Sequence, residues 1–235
     1  EFELTANRAD CFSVMGLVRE IAVLTGKEFK KPEISVSESG KNATDLIKIE
    51  IADTSVCKRF AARVFENIKI EASPNWMKQR LEAAGIRSIN NIVDITNFVM
   101  LELGQPLHAY DYDTIKGKTL IATKAKKKKK ITTLDDVERN LTEEMIVIAD
   151  ISGPVGVAGI MGGLATEVTA NTKTIVLEAA TFQGVSVRRT SRAFGLRSEA
   201  SGRFERGVDI VNIDKVLDRA AHLIQQLNAG VPCSG

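Results

Sequence analysis

The sequence predicts an α+β fold with a mixed or antiparallel β core, either barrel-like or built of layered sheets, flanked by helices. Helical patterns lie mainly near the two ends of the chain, whereas short β-branched runs fill its middle. These runs do not alternate with helices as βαβ units do, which argues against a doubly wound sheet of the Rossmann type. With 44% hydrophobic and 26% charged residues, the chain can bury a core of ordinary globular size.

The first two helical patterns carry start and stop signals. The segment DCFSVMGLVREIAVLTG has apolar residues at helical spacing, with Asp10 as its predicted cap and Gly26 as its stop. In SPNWMKQRLEAAG, Ser73 is the predicted N-cap, Pro74 occupies the first helical position and Gly85 follows the end. Both segments are therefore predicted to be helices with defined ends.

Two further helical patterns lie in INNIVDITNFVMLELG and NIDKVLDRAAHLIQQLNAG. The former places a broad apolar stripe along residues 89–103 and ends at Gly104. The latter places Val216, Leu217 and Leu223 on one face near the end of the sequence. We predict a helix in each segment.

Five short runs rich in β-branched residues are predicted strands. One of them carries Glu178 among apolar neighbours, where an unpaired buried carboxylate would be costly. Two interpretations remain open for this residue: a structural acid paired with an arginine, or a polar group kept in a pocket to meet a ligand's donor. The runs are residues 46–51, 119–124, 145–150, 155–160 and 174–179.

The cysteines and the chain ends bound the class of protein. Cys11, Cys57 and Cys233 are far apart and odd in number, which fits neither a disulfide framework nor a metal site and favours a reducing, cytoplasmic location. No apolar run has the length of a membrane span, and no basic-then-apolar leader is present. Because the sequence opens on Glu1 rather than on methionine, we expect it to be part of a longer polypeptide.

Two stretches of charge invite a nucleic-acid interpretation. The run KAKKKKKI (124–131) is predicted to be a solvated hairpin edge, because lysine commonly guards exposed strands, and its alternative is a nucleic-acid contact. The stretch 188–209 carries six arginines with Glu199 and Glu205 between them. Alternating signs favour internal ion pairs over a pure phosphate clamp, although several arginines could contact a backbone phosphate.

Known catalytic motifs do not identify a reaction. The glycine-rich run VGVAGIMGG (155–163) lacks the spacing of a phosphate loop or dinucleotide fingerprint, and its glycines fit close backbone packing as well as ligand approach. A lone histidine such as His108 more often packs than catalyses. Taken one by one, these residues predict an α+β domain with a polar pocket and nothing further.

Four segments, taken together, resemble one known family. They are SINNIVDITNFVMLELGQPLHAYD (88–111), VAGIMGG (157–163), IVLEAATF (175–182) and RRTSRAFGLRSEASGRFERGVD (188–209). In this order they are similar to the beta subunit of bacterial phenylalanyl-tRNA synthetase, in the region that forms its editing domain. The resemblance spans nearly the whole chain. It implies a leading helix segment (1–28), an editing domain (29–210), and a C-terminal helix with the start of a linker (211–235).

The resemblance implies hydrolysis of tyrosine mistakenly esterified to tRNA(Phe). It implies an α2β2 heterotetramer in which the alpha subunit uses ATP and Mg²⁺, so that this segment is expected to need no cofactor and to bind the tRNA(Phe) 3′ end and the misplaced tyrosine. It implies no metal ligand and no membrane contact. Two alternatives are a non-catalytic tRNA-binding or assembly module of the synthetase and a free-standing deacylase acting in trans.

The family's editing residues fall on matching positions of this sequence. Glu178 is expected to accept the tyrosine O–H, because tyrosine is larger than phenylalanine and only a polar contact can select it. His108, presented by a helix stop at Gly104 and a rigid turn at Pro106, is expected to act as a base or, as we favour, to position the substrate. The catalytic set is His108, Glu178 and Asn97, and the substrate-binding set is Arg87, Thr96, Pro106, Ala158 and Gly159.

Overall fold

The fold is described from a computed structural model, which covers residues 2–127 and 129–235. It contains seven α-helices among these residues, together with short 3-10 turns. The helices are α1 (Val14–Thr25), α2 (Ala43–Leu46), α3 (Asn75–Ala83), α4 (Asn91–Leu103), α5 (Gly184–Phe194), α6 (Glu199–Phe204) and α7 (Ile213–Gln226). The strands are β1 (Lys48–Ile51), β2 (Cys57–Glu66), β3 (Leu107–Asp111), β4 (Thr119–Lys124), β5 (Lys130–Thr132), β6 (Glu138–Asn140), β7 (Ile146–Ala149), β8 (Pro154–Val157), β9 (Met161–Gly162), β10 (Ile175–Phe182) and β11 (Val231–Pro232).

Two sheets and a separate hairpin form the β structure. One sheet is antiparallel, in the order β11-β2-β10-β3, and the other is mixed, in the order β1-β4-β7-β8-β9. Among the pairs of described strands, only β1–β4 is parallel. The α+β prediction is confirmed in its layered form, because neither sheet closes into a barrel over the part of the chain described.

Strand β10 is the centre of the antiparallel sheet, and all eight of its residues are buried. On one face, Ile175, Leu177 and Ala179 pack with the apolar sides of α4 and α7. On the other face, Val176 and Ala180 belong to a second core that includes the strands of the mixed sheet. Each fully buried valine, leucine or isoleucine contributes about 1.5–3 kcal/mol, so packing on both faces stabilises β10. Side chains on its even-numbered face therefore point between the two sheets.

The predicted helix ends are partly right. Gly26 and Gly104 end α1 and α4 in the left-handed conformation, with φ of 64° and 81°. The predicted cap Asp10 is wrong: Ser13 caps α1 by accepting a hydrogen bond from Gly16 N. Asp10 instead lies in a 3-10 turn that precedes the helix.

The predicted cap Ser73 is also wrong. Pro74 occupies the N-cap position of α3 rather than its first helical position, and Ser73 Oγ donates to Asp94 Oδ2 over 2.5 Å. Asp94 is buried in α4, and its carboxylate also accepts hydrogen bonds from Ser88 Oγ and Ile89 N. The need of a buried carboxylate for donors therefore prevails over the local capping preference of Ser73.

The strand predictions are confirmed in place, whereas six of the described strands have no counterpart among them: β2, β3, β5, β6, β9 and β11. Each of the five predicted runs overlaps one of β1, β4, β7, β8 and β10. Strands β2 and β3 were not predicted, and His108 lies inside β3 rather than on a turn. Pro106 directly precedes β3, so a strand rather than the turn itself presents the histidine.

The remaining sequence expectations concern cysteines, lysines and membranes. All three cysteines are free and buried. The lysine run joins β4 to the β5–β6 hairpin, its described members are exposed, and Lys130 pairs with Glu138 over 2.6 Å. Lys128 lies outside the described residues. None of the described helices combines the length and the apolar character needed to cross a bilayer.

Candidate functional site

The register of the antiparallel sheet brings the two principal polar residues together. Glu178 on β10 pairs directly with His108 on β3 and, on its other side, with Ala62 on β2. Opposed residues in a sheet point to the same face, and so do residues two apart along a strand. Tyr110 therefore joins His108 and Glu178 on the face that looks toward the mixed sheet.

Glu178 is buried and has one protein donor within the described residues. The hydroxyl of Tyr110, which is also buried, donates a short hydrogen bond to Glu178 Oε2. Burial raises the pKa of the Glu178 carboxyl to about 7, although the hydrogen bond from Tyr110 opposes this rise. The donor is a tyrosine, so the interpretation of Glu178 as an acid paired with an arginine is wrong. Oε1 accepts no hydrogen bond from the described residues and is not enclosed by them.

His108 is held as a neutral ring. Its Nε2 is closed off from solvent and has no hydrogen-bond partner among the described residues. Burial lowers the pKa of His108 to about 4, so the imidazole is uncharged at neutral pH. The ring stands edge-on to the ring of Tyr110, with 4.4 Å between their centroids.

Glycines form the wall that faces these side chains. A Cβ on Gly162 would lie 2.3 Å from His108 Cε1, so only glycine leaves room for the imidazole at this strand. Gly159 has φ of 72°, and a Cβ there would lie 3.0 Å from the ring of Phe204. The glycines of this run thus allow the close approach of side chains.

The polar face and the glycine wall enclose a small cavity of about 80 Å³. It is lined by Pro106, Ala158 and Gly159, three of the residues predicted to bind substrate, together with His108 and Glu178. Its other walls come mainly from apolar groups, including Ile148, Ile160, Phe182, Ala200 and Phe204. The cavity therefore combines an apolar body with one carboxylate and one imidazole, which is the usual character of a small-ligand site.

Three predicted site residues lie elsewhere. Arg87 is exposed, Asn97 is half-buried on α4, and Thr96 Oγ1 donates to Val93 O over 2.7 Å. None of the three is among the residues that line the cavity in the described chain. Helix α4 packs on the opposite face of β10 from Glu178, which accounts for the separation. Their roles stay predictions.

Several residues of the cavity were not predicted as site residues, among them Tyr110, Gly162, Phe182 and Phe204. Tyr110 had a signal in the sequence, since it stands two residues after His108 and a strand would place both on one face. The contact of Gly162 with His108 and the approach of Phe182 to Phe204, whose centroids are 5.1 Å apart, depend on long-range packing. Local sequence carries no signal for them.

Comparison with protein families matches residues 56–229 to the model of the B3/4 domain, which includes every residue of the cavity. The chain belongs to the B3/4 domain family. The resemblance to the phenylalanyl-tRNA synthetase beta subunit that the motifs indicate is thereby confirmed.

Two relatives of this B3/4 domain are both named phenylalanine–tRNA ligase beta subunit. The chain is 53% identical over 228 residues to the phenylalanine–tRNA ligase beta subunit of Moorella thermoacetica, a match covering 97% of the chain and 28% of that protein. It is 47% identical over 236 residues to the beta subunit of Clostridium tetani, covering 100% of the chain and 30% of that protein. The chain thus spans less than a third of the length of these relatives.

A solved structure also matches the B3/4 domain. It is an N-terminal fragment of the phenylalanyl-tRNA synthetase beta subunit from Pyrococcus horikoshii, with 16% identity and a TM-score of 0.45. The match covers 81% of this chain and 58% of that one.

The six arginines of the stretch 188–209 divide into two groups. Arg203 pairs with Glu199 over 2.7 Å and Arg206 with Glu205 over 2.8 Å, so the predicted internal ion pairs are confirmed there. For the others the prediction is wrong, because they are exposed and have no acidic partner among the described residues. The unpaired group, defined here as the arginine surface, is Arg188, Arg189, Arg192 and Arg197.

Proposed function

We propose that this chain is the editing domain of a phenylalanine–tRNA ligase beta subunit and hydrolyses tyrosine esterified to tRNA(Phe). The observation that carries the proposal is the buried Glu178 carboxylate, whose Oε1 is left without a protein donor beside an otherwise apolar cavity. Burying a carboxylate oxygen in this position costs free energy unless a ligand donates a hydrogen bond to it. The phenol of a bound tyrosyl group supplies such a donor.

The hydroxyl is the only feature by which this site can separate tyrosine from phenylalanine. Tyrosine is the larger of the two, so a steric filter that admits it admits phenylalanine as well. A bound tyrosyl O–H donates to Glu178 Oε1, whereas a phenylalanyl ring displaces water from this oxygen and leaves it unpaired. Polar readout of this kind reaches discrimination of about 10⁴ to 10⁵.

The cavity widens when the ring binds. An apolar cavity of about 150 Å³ accommodates benzene, and the cavity here has about 80 Å³. The ring of Phe204 lies against Gly159, within the cavity wall. Rotation of this side chain enlarges the space without disturbing the sheet that carries Glu178.

The reaction is transfer of an acyl group to water. A water oxygen attacks the ester carbonyl, the bond from that carbonyl to the ribose oxygen breaks, and the released ribose oxygen takes a proton. The products are free tyrosine and uncharged tRNA. His108 is neutral at neutral pH and positions the water or the terminal adenosine by hydrogen bonding, and the substrate's own ribose hydroxyl assists the water. Arg87, Thr96 and Asn97 contribute to binding the tRNA end or to the scaffold.

The partners of the whole ligase follow from the same proposal. The chain acts within an α2β2 assembly in the cytoplasm, where the alpha subunit uses ATP and Mg²⁺ to charge the tRNA. Editing itself uses water and needs no cofactor. The arginine surface supports contact with tRNA, since exposed guanidinium groups without acidic partners bind backbone phosphates.

A deacylation assay with Tyr-tRNA(Phe) tests the proposal. The chain and the complete ligase that carries it are both expected to release tyrosine, and to release phenylalanine from Phe-tRNA(Phe) much more slowly. Binding of tRNA without hydrolysis in the complete ligase would instead identify a non-catalytic tRNA-binding or assembly module. Equal activity of the chain alone and of the ligase would favour a deacylase that acts in trans.

A further inference from the structure

Tyr110 is a buried residue of the site to which the proposed hydrolysis assigns no part. It is 1% exposed, and its hydroxyl donates to Glu178 Oε2. A buried tyrosine hydroxyl ordinarily finds a partner, and a main-chain carbonyl would serve that need at lower cost than a carboxylate. The pairing of two buried polar side chains on neighbouring strands therefore calls for a functional explanation.

We propose that Tyr110 is a specificity-determining positioning residue, which fixes the Glu178 carboxylate so that Oε1 alone is presented to the phenol of the substrate. This inference rests on the proposed editing function and deepens it. Tyr110 occupies Oε2 permanently, and the second phenol, that of the substrate, completes the carboxylate's hydrogen bonds.

The packing around Tyr110 prevents it from turning away. On one side its ring stands edge-on to His108, 4.4 Å between centroids. On the other side a Cβ built on Gly156 would lie 3.7 Å from the Tyr110 hydroxyl, so the main chain of β8 closes that direction. The aromatic ring thus lies between the imidazole and the opposite sheet, with its hydroxyl directed at Glu178 Oε2. A carboxylate held by such a donor is pre-organised for its ligand.

Among the described groups around Glu178, Tyr110 is the one that favours the ionised form of the carboxylate. From β3 it faces His108, which is neutral because burial lowers its pKa to about 4. On β2, Cys57 lies further along the sheet, opposite Phe182, and its thiol stays protonated because burial raises its pKa to about 12. The remaining walls of the cavity contain no titratable side chain among the described residues. The hydrogen bond from Tyr110 lowers the pKa of Glu178 against the effect of burial.

The substitution Tyr110→Phe tests the inference because it removes only the hydroxyl. Tyr112→Phe is the matched control: its hydroxyl donates to Leu46 O over 3.1 Å, and Tyr112 does not line the cavity. Both variants and the unaltered enzyme are prepared as the complete ligase. Deacylation of Tyr-tRNA(Phe) and Phe-tRNA(Phe) is then measured between pH 5.5 and 9.

In Tyr110→Phe the ratio of kcat/KM for Tyr-tRNA(Phe) to that for Phe-tRNA(Phe) is expected to fall roughly tenfold to a hundredfold, the range for one hydrogen bond to a charged group. Selectivity in the unaltered ligase rises with pH as Glu178 ionises, and the midpoint of this rise is expected to move to higher pH in Tyr110→Phe. Tyr112→Phe is expected to change neither quantity. Structural damage alone would slow both substrates equally and leave the midpoint in place.

The outcomes separate this inference from the proposal on which it rests. A selective ligase whose Tyr110→Phe variant keeps both the ratio and the midpoint would overturn the role of Tyr110 and leave the editing function standing. A ligase that releases no tyrosine, in the unaltered form and in Tyr112→Phe alike, would overturn both.

Discussion

His108 and Glu178 are directly opposed on β3 and β10, yet they do not form an ion pair. Burial lowers the pKa of His108 to about 4 and raises the pKa of Glu178 to about 7. Between these values both groups are neutral, and above pH 7 only the carboxylate is charged. The free-energy cost of removing the two charged forms from water thus exceeds the attraction between them. This is expected where neither group has a full set of hydrogen bonds. The site presents an acceptor and a neutral imidazole, which suits recognition of a phenol better than transfer of a proton by histidine.

We expect His108→Ala to slow deacylation of Tyr-tRNA(Phe) by about a hundredfold, the loss typical of a misplaced reacting group. Any limb of the pH–rate profile near pH 7 belongs to Glu178 and is expected to persist, because the imidazole is already neutral there. The measurement is kcat/KM from pH 5.5 to 9. His222→Ala is the control, since it changes the one other histidine, which lies on α7 near Ser35. Disappearance of the limb in His108→Ala alone would show that His108 is a base.

Glu178 is expected to reduce the stability of the fold. Its pKa is about 7 in the folded chain against an ordinary value of 4.5, so the folded state binds more protons between these limits and stability falls as pH rises through this window. At 1.36 kcal/mol per pKa unit the cost above pH 8 is about 3 kcal/mol. Glu178→Gln keeps an acceptor for Tyr110 and removes the titration.

Urea unfolding at pH 5 and pH 8 measures this effect. Glu178→Gln is expected to be more stable than the unaltered chain by up to about 3 kcal/mol at pH 8 and by less than about 1 kcal/mol at pH 5. Glu82→Gln, at an exposed position of α3, serves as control and is expected to show no such difference. A Glu178→Gln gain that is the same at both pH values would mean that ionisation of Glu178 is not its source.

Gly162→Ala is expected to displace the His108 ring and to lower deacylation about as much as His108→Ala. The added Cβ would lie 2.6 Å from Nε2, far inside van der Waals contact. Once His108 is alanine, the clash no longer exists, so the double variant is expected to be no slower than His108→Ala alone. Gly202→Ala is the matched control, since its Cβ would meet only the Arg206 guanidinium, at 3.9 Å. Additive losses in the double variant would rule out a common cause.

The arginine surface and the lysine run are expected to contribute differently to tRNA binding. Replacing Arg188, Arg189, Arg192 and Arg197 with glutamine should lower affinity for tRNA(Phe) and reduce the salt dependence of log K by roughly 0.7–0.9 for each phosphate that the variant no longer neutralises. Replacing Lys126–Lys130 with serine should leave both quantities nearly unchanged, since the described lysines of the run are exposed between β4 and a hairpin. Filter-binding titrations at several salt concentrations test both expectations. An equal loss of affinity in the two variants would assign the lysines to the tRNA interface.

How far the sequence predicts the site depends on the range of the interactions involved. The burial of Glu178 follows from its apolar neighbours along β10, and a glycine stop follows from Gly104, because both signals are local. Strand β3 has only five residues and comes directly after a proline, so its pairing with β10 rather than its own propensity makes it a strand. Once residues 107–111 are known to form a strand, the alternation of side chains along it places Tyr110 on the same face as His108.

Other features depend on contacts between distant parts of the chain. Strand β2 carries Lys58, Arg59 and Arg63, which break the apolar pattern, and Arg63 is accommodated by ion pairs with Glu38 and Asp218. The first of these acids precedes β1 and the second lies on α7, so no local pattern reveals them. The same holds for Ser73, whose partner Asp94 is 21 residues away. Tertiary hydrogen bonds decide such positions.

The most direct test of the central claim compares Glu178→Ala with the unaltered ligase. The ratio of deacylation rates for Tyr-tRNA(Phe) and Phe-tRNA(Phe) is measured in single turnover, with circular dichroism to confirm the fold. Loss of the carboxylate is expected to reduce this ratio by roughly a hundredfold or more, because an apolar pocket distinguishes a hydroxyl poorly. An unchanged ratio in a folded Glu178→Ala variant would contradict recognition of the tyrosine hydroxyl by Glu178.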